Sequence, residues 1–186
     1  MTFQVVSGQG YIQNSTITAA KLTWTPIGAN VSTTTLAAPA KVITVSSLDL
    51  TTAGAYFFTG KLIGDGGGGT IGPVWFANSD DDGAHYWYAT VSTIGASVSG
   101  TGADSNNYFG RNLLTSDTRQ FYGTIFLGDS GYATMIMHYT DGIDTVGTNT
   151  VQWKNATNLT SFTIDTDSAL RNFGAGSTIT VWKKNV

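Results

Sequence analysis

The 186-residue chain contains no cysteine and not one glutamate, all 12 of its acidic residues being aspartate. Without cysteine there is no disulfide framework and no thiolate metal site, and redox chemistry gives no clue to compartment. Charged residues make up only 11% of the chain. The side chains that normally fill the exposed faces of amphipathic helices are therefore missing, which excludes long helices. No apolar run approaches the ~20 residues of a membrane span. The opening MTFQVVSGQG has neither the charged nor the apolar region of a signal peptide. The nine Lys and Arg residues are scattered, and the net charge of −3 argues against a nucleic-acid partner.

What the chain has in quantity is threonine, serine, valine, isoleucine, 23 glycines and 12% aromatics. β-branched and aromatic residues suit strands, and Gly, Asp and Asn suit turns. The expected class is all-β. The length suits one domain with a real core, or one domain with an extension.

The chain is organised around residues 71–88, IGPVWFANSDDDGAHYWY. Two aromatic runs bracket a polar Asn/Asp/Gly cluster, which predicts a β-hairpin at the centre of one sheet. Residues 1–32 hold only short apolar patches among Gly, Gln, Asn and Thr, and read either as an N-terminal arm or as edge strands. From residue 33 the strand signals become regular. Strands are predicted at 41–50 and 55–63, with GDGGGG at 64–69 a flexible loop lacking the Gly-Lys-Ser/Thr of a phosphate loop. Residues 94–118, rich in Gly, Ser and Asn, read as the longest loop. A second hairpin is predicted from 120–127 and 132–140, and the period of two places Ala133, Met135, Met137 and Tyr139 inward. Strands at 150–154, 159–164 and 178–183 complete a β-sandwich or barrel.

Several constellations bear on function. Asn78, Asp80, Asp82 and Gly83 have the spacing of a calcium loop, whose carboxylate oxygens wrap a hard cation. Ala89 stands where that loop's closing Glu belongs, so a turn capped by its own aspartates competes with calcium; no other cofactor is indicated. Hydrolysis of a glycan needs two facing carboxyl groups. The aspartates available for it (Asp129, Asp141, Asp144, Asp165, Asp167) sit in predicted turns, where Asp is common for backbone reasons. No Gly-x-Ser-x-Gly elbow accompanies His85 or His138. The sequence therefore argues for interaction rather than catalysis. His85-Tyr86-Trp87-Tyr88 is aromatic on both faces of its strand, so one face looks away from its own core. Together with Trp75, these four residues are the interface or ligand candidates. Phe3, Val5, Tyr11 and Trp24 give residues 1–32 apolar weight, and are candidate anchors for β-augmentation on a neighbouring subunit.

The order of the strands, the turn within 76–86 (FANSDDDGAHY), and the closing Phe173-Gly174-Ala175-Gly176-Ser177 before the 178–182 strand resemble a jelly-roll domain of tailed-bacteriophage structural proteins. The resemblance covers roughly residues 33–186. It departs from that pattern in the extra aspartates of the turn and in Val181-Trp182. It implies an antiparallel jelly-roll β-sandwich with a short N-terminal arm, in a virion protein assembled in the host cytoplasm. A chain starting at Met1 with no coiled-coil stem is expected to be a capsid decoration protein, a homotrimer bound to the major capsid protein or other virion proteins. The alternative is a receptor-binding module of the tail that recognises a host surface glycan.

Overall fold

The computed structural model describes residues 6–7, 10–11, 24–26, 33–67, 70–94, 97–104, 113–114, 118–140, 145–155, 157–166 and 170–184. In chain order the strands are β1 (Val6–Ser7), β2 (Gly10–Tyr11), β3 (Trp24–Pro26), β4 (Thr33–Thr35) and β5 (Val42–Val45). One helical turn, α1 (Leu50–Ala53), precedes β6 (Ala55–Ile63), β7 (Thr70–Ile71) and β8 (Val74–Ala77). After a 3₁₀ turn at Gly83–His85 come β9 (Tyr86–Ile94), β10 (Ser97–Asp104), β11 (Leu113–Leu114) and β12 (Thr118–Leu127). β13 (Ala133–Thr140), β14 (Thr145–Trp153), β15 (Phe162–Asp165) and β16 (Thr178–Lys184) follow.

The protein is an all-β antiparallel sandwich of two unequal sheets. The large sheet runs β10-β9-β14-β13-β12-β6-β16-β3, with β4 also pairing β16, and the small one runs β5-β15-β8. Between them lie the inward rows of both sheets. Phe58 of the large sheet meets Phe162 of the small one at 6.3 Å between ring centroids, and Trp75 meets Phe162 at 6.4 Å. Met135, Met137 and Tyr139 are buried on the inward row that the period of two predicted. Each large apolar side chain so buried contributes ~1.5–3 kcal/mol.

Three mid-strand glycines let rings on the core face lie against neighbouring backbone. A Cβ at Gly60 would strike the Phe121 ring, one at Gly123 the Phe58 ring and the Ile136 carbonyl, and one at Gly147 the Tyr139 ring. Glycine in a strand commonly marks this kind of close approach. The closing segment around residue 173 is structural too. Phe173 is buried and bridges Ala40 and Gly64. The Ser177 hydroxyl accepts from the Ile63 N–H at 2.9 Å.

Four expectations need correction. Residues 71–88 are not a hairpin, because β8 belongs to the small sheet and β9 to the large one. The polar stretch between them is long enough to cross the ~10 Å from one sheet to the other. Trp75 and Tyr86 therefore meet across the layers, edge to face at 6.0 Å, and not as ladder neighbours. The strand predicted at 41–50 stops at Val45, since Asp49 caps α1 by accepting the Thr52 N–H at 3.1 Å. The loop predicted at 94–118 contains β10, paired with β9 over its full length. Its small Ser, Gly and Thr residues suffice because residues 97–102 are exposed and have no core to fill. The strand predicted at 150–154 starts earlier, at Thr145. Of the N-terminal segment, β3 pairs with Trp182–Lys184 as an edge strand, and β1 pairs with β2. Phe3 and Val5 lie outside the described residues, while Tyr11 and Trp24 fall in β2 and β3.

Candidate functional site

The inter-sheet crossing is held by its own polar side chains. Asn78 and Ser79 take positive φ (50° and 61°), a conformation that Asn tolerates better than most residues. The Asn78 Oδ1 accepts from Thr160 N at 2.8 Å and Ser161 N at 3.0 Å, and its Nδ2 donates to the Asn158 carbonyl at 2.7 Å. Asp80 Oδ2 accepts from the Trp153 indole at 2.7 Å and sits 2.8 Å from His85 Nδ1, while Oδ1 accepts from Asp82 N at 3.2 Å. Burial alone would push the Asp80 carboxyl up, but the bonds from Trp153, His85 and Asp82 together outweigh it and hold it below the usual range. Asp82 accepts from Ala84 N at 3.0 Å and caps the 3₁₀ turn.

Oxygens of the calcium-loop candidates Asn78, Asp80 and Asp82 are thus engaged in fastening the crossing. Among the described residues, no three His or Asp side chains are grouped so as to hold a metal ion.

Trp75 belongs to the small sheet, and the aromatic candidates of β9 are divided between the two sides of the large one. Trp75 and Tyr86 are fully buried and Tyr88 nearly so. The Tyr86 hydroxyl donates to the Asp80 carbonyl at 2.7 Å and accepts from Ala77 N at 2.9 Å, and burial pushes its ionisation well above the usual tyrosine range. His85 and Trp87 remain partly exposed, His85 in the crossing and Trp87 on the outer face of β9.

That outer face carries a feature the sequence reading did not assemble. Across six strands the sheet forms a trough of about 770 Å³ lined, among the described residues, by its own side chains and backbone. Pairing register builds it from two rows. One row is Thr59, Tyr122, His138, Thr148 and Val91, and the other is Thr178, Lys61, Gln120, Thr140, Val146 and Thr93. The exposed Tyr122 ring lies 5.0 Å from the His138 ring at a tilt of 31°. His138 Nδ1 is bonded to the Thr148 hydroxyl at 2.9 Å, which fixes the imidazole plane. Val91 and Val146 are 57% and 59% exposed, so apolar surface stands open within a polar lining. Among the described residues, the lining includes one charge, Lys61, and no aspartate. The volume falls in the ~300–1,000 Å³ range of small-molecule sites. An exposed ring, apolar patches and a surrounding set of hydroxyls, an amide and an imidazole can hold an amphipathic, hydroxyl-rich ligand.

None of the five aromatic and histidine candidates lines the trough. Trp87 shares its face, four residues along β9 from Val91. The signal for the trough residues lay in the alternation: opposite the inward Met row of β13, His138 and Thr140 point outward.

No family model and no curated protein matches the chain. Among solved structures, a protein of unknown function from Shewanella oneidensis MR-1 aligns over 85% of this chain and 77% of its own, at 8% identity and a TM-score of 0.20. A likeness that low carries no argument. The bacteriophage resemblance therefore rests on the sequence segments alone.

Proposed function

We propose that the protein is a non-catalytic recognition module of a virion, binding an extended carbohydrate along the outer-face trough. The observation that carries this reading is the exposed Tyr122 ring beside the oriented His138, set in rows of hydroxyl side chains. The apolar face of a sugar ring packs on an aromatic ring, and its hydroxyls exchange hydrogen bonds with Thr, Gln and imidazole groups. Binding is put ahead of hydrolysis because, among the described residues, the lining supplies no carboxylate, whereas glycosidic cleavage by the usual route needs a pair. Receptor recognition is likewise favoured over capsid decoration, for which a ligand-sized trough has no use. The virion context is carried by the sequence resemblance.

A glycan array probed with the full chain tests the reading, followed by calorimetry on the best oligosaccharide. Tyr122→Ala is expected to weaken that binding about tenfold, ~1.4 kcal/mol, with an unchanged far-UV spectrum. Free protein is expected to block infection of a host bearing the glycan. A blank array, or equal binding by the Tyr122→Ala variant, would overturn it.

A further inference from the structure

β10 ends the large sheet, and its partner among the described strands is β9 alone. Residues 97–102 are exposed without interruption, and Val98 is 73% exposed. Natural edge strands are usually shielded by lysine, proline, a bulge or short length, because unpaired N–H and C=O groups invite another strand. β10 has none of these shields. It is eight residues long (SVSGTGAD), contains no Lys, Arg or Pro, and carries a single charge at its end, Asp104.

We propose that β10 is a self-association edge, through which two copies of the chain pair antiparallel about a two-fold axis at Gly100 and fuse their large sheets. A second copy suits this edge because the strand complements itself. Cross-strand partners in an antiparallel ladder share a face, so outer faces stay aligned only when outward residues meet outward residues. With Gly100 on the axis, Val98 lies opposite the partner's Gly102, and Ser99 lies opposite the partner's Thr101. Every pair in that ladder is neutral and small. Asp104 falls beyond it, so a chain of net charge −3 brings no like charges face to face. Such an isologous contact closes on itself as a dimer. It also continues the outer face across the seam, one strand from Val91 and Thr93 of the trough.

The absence of cysteine gives a clean test with the full chain. A Cβ at Gly100 meets only ordinary contacts, the Thr90 carbonyl at 3.7 Å and Val91 at 3.8 Å, so Gly100→Cys is tolerated. Residues opposite each other in an antiparallel ladder lie ~4.5–5.5 Å apart at Cα, within the ~4.4–6.8 Å span of a disulfide. Mild oxidation is expected to link Gly100→Cys into a dimer and to leave Val98→Cys, the more exposed control, unlinked. Light scattering of the parent protein at micromolar concentration is expected to give twice 19.6 kDa. Ser99→Lys with Thr101→Lys should return it to monomer by setting like charges across the seam, and Ser99→Lys with Thr101→Asp should restore the dimer. A monomeric parent, a dimer indifferent to the paired lysines, or linkage at Val98→Cys in place of Gly100→Cys would overturn the proposal. Far-UV dichroism verifies folding, and if the lysine pair unfolds the chain, the cysteine comparison decides.

Discussion

Replacing Asp80 by alanine removes the tie between the inter-sheet crossing and the large sheet. The carboxylate is 15% exposed and accepts from Trp153, whose residue is 1% exposed, so truncation strands a buried indole N–H. A buried donor left without its partner costs ~1–3 kcal/mol. The bonds to His85, whose side chain is 44% exposed, and to Asp82 N lie nearer solvent and together add roughly 0.5–1 kcal/mol. The expected loss is therefore about 2–4 kcal/mol. At an m-value of ~2 kcal/mol/M, that lowers the urea midpoint by about 1–2 M. Asp80→Asn keeps one oxygen for the indole and should lose about half as much. Asp81→Ala, on an exposed neighbour, should stay within ~0.5 kcal/mol. The pH dependence has a definite sign. The folded Asp80 pKa lies below its ordinary value, so its stabilisation is complete above the unfolded value of ~3.9 and is lost as pH falls through the depressed folded value. Asp80→Ala should flatten the stability profile in that acid window. A variant as stable as the parent in urea at neutral pH would refute the reasoning.

Asn78→Ala gives up the bonds to the 158–161 segment and also places a β-carbon without a polar partner at φ 50°. A loss of ~2–3 kcal/mol is expected, and Asn78→Gly, which relieves only the backbone, should lose less in the same denaturant titration. Gly147→Ala drives a methyl group into the Tyr139 ring and is expected to cost ~1–3 kcal/mol. Gly128→Ala, where a Cβ makes only ordinary contacts, should shift thermal unfolding by no more than ~0.5 kcal/mol.

The all-β class was legible because it depends on composition and on alternation, which act locally. The inward row of β13 followed from its period of two, and Met135 and Met137 are fully buried. The role of residues 71–88 was harder to read. Two aromatic runs around an Asp-rich turn look the same whether they pair in one ladder or face each other across a sandwich, and partners such as Trp153 and Thr160 lie far along the chain. β10 escaped notice because an exposed edge strand has no core face to write a hydrophobic pattern. The trough left only a partial local signature, the alternation that turns His138 and Thr140 outward. Its side chains come from six strands, and only pairing register sets Tyr122 beside His138 and Lys61 beside Gln120. Outward threonines on a strand look alike whether the sheet beneath them is flat or curved.

The most direct measurement is amide chemical-shift mapping of the full chain titrated with the oligosaccharide that binds best on an array. The expected perturbations cluster on the outer face, at Lys61, Tyr122, His138, Thr148 and Val91, and vanish for Tyr122→Ala. Perturbations gathered instead around the 78–85 crossing, or scattered over the core-facing strands, would contradict the assignment of the trough as the binding site.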